Sequence, residues 1–150
     1  MLLDTNILLR MAQPRSPHHQ TAIHAVLELH QRGVHLFLVP QILYEFWVVA
    51  TRPVDVNGLG MDATDVDASI TQLIADYQLL RDERGIFSRW QNLVVEHQIQ
   101  GKSAHYAQLV AAMQRHGLSQ LLTFNVGDFA RYPSISAIAP GDVMASRDIR

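Results

Sequence analysis

Three carboxylates carry the chemistry that this sequence offers. Asp4 follows the apolar start Met1–Leu3, Glu45 lies inside the apolar run that begins at Pro40, and Asp128 comes shortly after the run Leu121–Phe124. Asp4 and Asp128 each stand just past a stretch that reads as a buried strand. In open α/β sheets, ligands bind in the crevice beyond the carboxyl ends of the strands. A parallel sheet can therefore bring these three positions to one crevice. Clustered carboxylates repel one another by about 4 kcal/mol per pair at 4 Å and an effective dielectric of 20. Without a cation, one of them would rather hold a proton. A hard divalent ion removes the conflict. Oxygen ligands with retained waters are the usual surroundings of Mg²⁺, and Mn²⁺ accepts the same ligands. Such an ion lowers the pKa of a bound water and neutralises charge on a phosphate, so the reaction class that follows is phosphodiester hydrolysis. Plainer roles exist for each acid taken alone. Asp4 reads as a helix cap, and Glu45 as the partner of an arginine.

The elements that must position these acids follow from spacing. Met1–Leu9 reads as a short central strand ending near Asp4, then a turn onto a short helix. Ser16-Pro17 has the pattern of an N-cap with proline at the first helical position. Ala22, Ile23, Val26, Leu27 and His30 repeat at helical spacing up to a stop at Gly33, and Val34–Val39 reads as a second strand. The helix from Pro40 is apolar almost all round, which predicts burial. Thr51–Met61 is a connector rich in turn signals, and Asp62 or Thr64 can cap the next helix. Val66, Ile70, Leu73, Ile74, Tyr77 and Leu80 predict that this helix is amphipathic and runs through Leu80. Ile86–His97 predicts a shorter helix, and Lys102–His116 one whose apolar stripe ends at Gly117. Leu121–Phe124 and Ile135–Ile138 complete the strands, and Pro140-Gly141 reads as a turn into a polar tail, Ser146–Arg150. This order favours a three-layer α/β/α domain with a mainly parallel sheet. Trp47, Trp90 and Phe124 stand at core-like spacing.

Bulk properties narrow the class. A chain of 150 residues with 48% hydrophobic and 17% charged residues is long enough for one domain with its own core. It contains no cysteine, which rules out thiolate metal sites and disulfides. No apolar run approaches the roughly 20 residues of a membrane span, and no basic segment precedes the apolar N-terminus, so the expected location is the cytoplasm. The net charge of −2 argues against strong non-specific DNA binding. The eight histidines lack metal-ligand spacing, and His18, His19, His24 and His30 read as solvent-facing. Arg10, Arg15 and Arg131 read as surface charges near the site edge. No glycine-rich phosphate loop is present, and no second Asp follows Asp4 by two residues, so a nucleotide-binding module or phosphatase fits less well.

The run Leu3-Asp4-Thr5-Asn6, Glu45, Asn57-Gly58-Leu59-Gly60 and Gly101-Lys102 with His105 and Ala107 resembles, in order, the PIN-domain proteins. The most specific block is His116-Gly117 through Leu122-Thr123-Phe124-Asn125 to Asp128-Phe129. Within that family the chain looks most like the VapC-type toxin ribonucleases of bacterial toxin–antitoxin pairs. The resemblance implies a PIN-like fold, Mg²⁺- or Mn²⁺-dependent RNA cleavage, a homodimer and a small antitoxin partner. In this reading Asp4, Glu45 and Asp128 form the catalytic metal site. Asp4 and Asp128 hold the ion, Glu45 orients or deprotonates the attacking water, and Thr5, Asn6, Thr123 and Asn125 position the ligands. The family usually has a further acidic metal ligand between the residues that match His105 and Ala107. Here Tyr106 occupies that place. A phenol with a pKa of about 10 is neutral at pH 7 and a poor ligand for Mg²⁺. Two expectations follow: a metal-dependent endoribonuclease built on three carboxylates, or a relative that binds RNA or an antitoxin without efficient cleavage.

Overall fold

The computed structural model describes residues 1–145. Its centre is a five-stranded, all-parallel sheet in the order β3-β2-β1-β4-β5. The strands are β1 (Leu2–Leu3), β2 (Phe37–Leu38), β3 (Gln78–Leu79), β4 (Gln120–Leu122) and β5 (Ser136–Ile138). Leu2, Leu3, Leu121 and Leu122 are fully buried, as a sheet covered on both faces requires. In register, Leu2 pairs with Leu121 and Leu3 with Leu122. The chain therefore leaves the central strand β1 and its neighbour β4 side by side, at Asp4 and Thr123.

Seven α-helices flank the sheet among the described residues: α1 (Thr5–Met11), α2 (His19–Gln31), α3 (Pro40–Thr51), α4 (Ala63–Asp76), α5 (Ile86–Glu96), α6 (Ser103–Arg115) and α7 (Pro140–Ala145). Along α6, Ala107, Leu109, Val110, Ala111, Ala112 and Met113 are all buried, so the helix packs both small and large apolar residues against the core. Gly117 then takes a φ of +68°, the left-handed stop its position predicts. In the connector after α3, a Cβ on Gly58 would lie 1.8 Å from the Arg52 carbonyl oxygen, so only glycine fits this close approach. Asp62 caps α4 by accepting the Asp65 N–H at 2.8 Å.

Several expectations are corrected. The helix predicted through Leu80 ends at Asp76. The Gln78 and Leu80 N–H groups instead bond the Leu36 and Leu38 carbonyls, forming the outer strand β3. Pairing with β2 overrides the helical spacing, which Tyr77 and Leu80 merely continue. The second strand is laddered only over Phe37–Leu38, and β4 ends at Leu122, before Phe124. The helix expected from Pro17 starts at His19, although the Ser16 hydroxyl does accept the His18 N–H at 3.2 Å. Pro140 starts α7 rather than a turn. Arg32 Nη2 holds this helix to α2 by donating to the Val143 carbonyl at 2.9 Å. The expected polar tail, Ser146–Arg150, lies outside the described residues. The helix α3 is not mostly buried: Tyr44, Trp47 and Val48 are exposed. Trp90 and Phe124 are half-buried rather than central. Trp90 donates its indole N–H to the Ala104 carbonyl, and Phe124 packs on the ring of His18. Among the described residues no helix is long and apolar enough to cross a membrane.

Candidate functional site

The site is built outward from the end of β1. Asp4 is the N-cap of α1, and its Oδ1 accepts the Thr5 N–H at 2.7 Å. The capping role expected of Asp4 is therefore present, but it uses one oxygen. Its Oδ2 accepts from Asn6 Nδ2 at 2.7 Å and from the Thr123 hydroxyl at 2.6 Å. The Thr123 oxygen in turn accepts from Asn6 Nδ2 and from the Asn125 N–H, each at 3.0 Å. Asn6 Oδ1 accepts the Phe124 N–H at 3.1 Å. Asp4, Asn6 and Thr123 thus form a closed network joining the ends of β1 and β4. Asn125 contributes to it through its backbone.

Glu45 reaches this network from α3. Its Oε2 accepts from the Thr5 hydroxyl at 2.8 Å, and its Oε1 from Gln41 Nε2 at 2.8 Å. One residue, Thr5, thereby bonds Asp4 with its amide and Glu45 with its hydroxyl. The partner expected for Glu45 was an arginine or a metal ion. In the structure the partners are a hydroxyl and an amide, both neutral. Gln41 also donates to the His105 carbonyl at 2.9 Å, which ties α3 to the first turn of α6. Its Oε1 is buried without a partner. Sequence reasoning missed Gln41. The available signal was its position four residues before Glu45, on the same helical face.

Asp128 lies in a 3₁₀ turn, Val126–Phe129, and is exposed. Tyr106 faces it from α6, with its ring edge-on to Phe129 at 5.4 Å between centroids. The Tyr106 phenol is pushed up to about 12. Burial is the main cause, followed by its hydrogen bond to Asp128 and the negative charges of Asp128, Asp4 and Glu45. All three predicted acids thus act on the one tyrosine. Asp4 itself is raised to about 6, chiefly because burial disfavours its charge. The Thr123, Thr5 and Asn6 bonds oppose that rise, and Glu45 adds to it.

The donor set can be weighed against a divalent ion. Among the described residues no group of three His, Asp or Glu side chains gathers closely enough to hold one. Asp4 and Glu45 nevertheless offer hard oxygen ligands, and each of their hydrogen-bond partners is neutral. Mg²⁺ commonly binds through one or two carboxylates and keeps several waters. The Asp4–Glu45 pair suits such an ion chemically, and its positive charge would relieve the cost of burying Asp4. Tyr106 caps Asp128 and offers no anionic ligand at neutral pH.

The arginines named from the sequence stand apart from this network. Arg10 donates to Gln13 at 2.8 Å, and Arg10 and Arg15 line a separate cavity of about 600 Å³ together with Leu59 and Met61. Arg131 is exposed, as are His18, His24 and His30, while His19 is half-buried.

No protein-family model matches the sequence, and no curated protein matches it. Solved structures do. A toxin–antitoxin complex from Klebsiella pneumoniae matches with a TM-score of 0.64 and 22% identity, covering 93% of this chain and 96% of that one. VapBC2 from Rickettsia felis, bound to a DNA fragment from its promoter, matches with a TM-score of 0.68 and 13% identity, over 92% and 96%. The sarcin-ricin-loop-cleaving toxin VapC20 from Mycobacterium tuberculosis matches with a TM-score of 0.60 and 16% identity, over 80% and 85%. At these identities the likeness is one of fold.

Proposed function

The chain has the PIN-like fold of the VapC-type toxins, and we propose that it is a Mg²⁺- or Mn²⁺-dependent endoribonuclease, the toxin of a toxin–antitoxin pair. The observation that carries this reading is Asp4. It is a carboxylate only 7% exposed at the end of the central strand, joined through one threonine to Glu45. Burying a carboxylate with only neutral partners is costly; capping α1 occupies one oxygen of Asp4, and a cation would offset the cost of burying its charge. Asp4 and Glu45 are the residues that would hold the ion, and Asp128 joins them where Tyr106 releases it. When bound, the ion supplies positive charge for a phosphate and a water of lowered pKa.

The remaining steps belong to side chains of the chain itself. Thr5 and Gln41 each donate to one oxygen of Glu45 and fix the plane of its carboxylate. Glu45 is half-buried, so water reaches it, and it takes the proton of the attacking water as general base. Asn6 and Thr123 hold Asp4 in one orientation, the service that hydrogen-bonded neighbours give to metal ligands. RNA is the substrate, a small antitoxin the partner and a homodimer the assembled form. Structural neighbours that are toxin–antitoxin complexes support the antitoxin partner, and one that cleaves the sarcin-ricin loop supports the RNA substrate.

One observation favours a second reading. Tyr106 places a neutral phenol on Asp128, so the domain binds RNA or its antitoxin but cleaves poorly. RNA cleavage with Mg²⁺ or Mn²⁺ separates the two, comparing the natural chain with Tyr106→Asp and Asp4→Asn. Cleavage by the natural chain that is lost in Asp4→Asn supports the nuclease. Cleavage only by Tyr106→Asp supports the second reading. Cleavage that survives Asp4→Asn defeats the mechanism.

A further inference from the structure

We infer that the cavity between α3 and the start of α6 takes one nucleotide of a single-stranded RNA, beside the phosphate to be cut; the choice of RNA rests on the ribonuclease reading above. The cavity has a volume of about 580 Å³, and its lining includes Glu45 of the acid pair and Thr5, which joins Glu45 to Asp4. That volume lies in the range of about 300–1,000 Å³ usual for small-molecule sites. Its walls differ in character. Val48 and Val49 are apolar, Tyr44 and Tyr106 are aromatic, and Lys102 and Arg52 are cationic. A lining that combines apolar and aromatic side chains with two cations matches a nucleobase joined to a phosphate.

Two features are hard to explain as ordinary surface. Tyr44 is 64% exposed and stacks on no other ring among the described residues. Lys102, the only lysine of the chain, is the N-cap of α6. A cation there opposes the helix dipole, so its charge does not serve the helix. Neither Lys102 nor Arg52 forms an ion pair among the described residues. In a chain with a net charge of −2, these two cations, lining the same cavity as Glu45, make a local site for phosphate rather than a general basic surface. Base stacking on Tyr44, with Lys102 and Arg52 on the phosphates, sets the strand so that the neighbouring phosphodiester lies toward Thr5 and Glu45.

The test measures binding apart from cleavage. Fluorescence anisotropy follows a labelled single-stranded pentaribonucleotide of mixed sequence in EDTA, where nothing is cut. Tyr44→Ala weakens binding about tenfold, which is ~1.4 kcal/mol for one lost base–aromatic stack. Lys102→Ala weakens it too, and flattens the slope of log K against log salt by about 0.7, the loss of one phosphate contact on a single strand. Arg89→Ala removes an exposed charge from α5, away from the cavity lining, and changes neither quantity. Both substituted cavity residues are exposed, so folding is preserved. Unchanged binding in both Tyr44→Ala and Lys102→Ala overturns the inference, as does a natural chain that ignores the RNA and binds a basic pentapeptide instead. Cleavage with Mn²⁺ is scored separately. Binding with the stated losses but no cleavage keeps the subsite and refutes the ribonuclease. Cleavage with binding unchanged in both variants refutes the subsite and keeps the ribonuclease.

Discussion

Asp4 and Asp128 follow neighbouring strands of one sheet, yet they live in different media. Asp4 comes one residue after β1 and is drawn into the core, where the Thr5 amide, the Asn6 amide and the Thr123 hydroxyl surround it. Asp128 comes six residues after β4, beyond a loop, and stays in solvent beside a phenol. Burial makes the charge of Asp4 costly, so a cation there gains the most. Solvent already screens Asp128, so a cation gains little from it alone. The number of residues between strand end and carboxylate thus sorts two similar-looking acids into a site centre and a site margin.

The strongest way to break this contrast is Asp4→Asn. It should lower metal-dependent RNA cleavage on the order of 100-fold or more, the several kcal/mol expected of a lost ion contact, while Asp128→Asn should cost about tenfold or less. Single-turnover assays of both variants check this, and equal losses would contradict the ranking of the two acids. Tyr106→Asp tests the margin in the other direction. It removes the cap on Asp128 and adds a hard ligand, so cleavage should rise about tenfold or more over the natural chain, read in the same assay.

Stability sharpens the comparison without reference to activity. Asp4 is raised from 3.8 to about 6, so the folded chain keeps a proton that the unfolded chain loses. Stability therefore falls as pH climbs from about 4 to 6, and the loss is complete above about 6. A cation should reverse that loss only where Asp4 is ionised. At about a hundredfold excess over its Kd, Mn²⁺ should add ~2.7 kcal/mol at about pH 7.5, or about 5–10 °C in Tm. At about pH 5 the gain should be much smaller, and Asp4→Asn should remove it at both. Thermal melts across pH with and without Mn²⁺ measure this. The smallest effect expected is that of Thr5→Val, which keeps the amide on Asp4 but removes the hydroxyl from Glu45. It should cost about 1 kcal/mol of stability and slow cleavage about tenfold, with metal affinity changed less than by Asp4→Asn. Denaturant melts, cleavage assays and metal titrations of the variant give all three numbers.

Much of the fold was legible because it is local. The apolar dipeptide before Asp4, the cap it makes, the stop at Gly117 and the order of strands and helices follow from neighbours in the chain. The strand β3 was not legible, because Tyr77 and Leu80 prolong a helical spacing that only pairing with β2 overrules. The exposure of Tyr44, Trp47 and Val48 on α3 was also hidden, since an all-apolar helix looks buried until its neighbours are known. The i, i+4 spacing of Gln41 and Glu45 was local and readable, but the bond from Gln41 to the His105 carbonyl, 64 residues away, was not.

By itself, the sequence determined which residues bring charge, which stretches bury, and that a neutral Tyr106 stands between His105 and Ala107. Tertiary structure alone decided that Thr5 links Asp4 to Glu45, that Asn6 and Thr123 close a network between two strand ends, and that Tyr106 faces Asp128. The reason is physical. Burial and capping patterns are read over a few residues of chain, whereas the energy of a carboxylate depends on which donors and charges stand within a few ångströms, and here those come from opposite ends of the polypeptide.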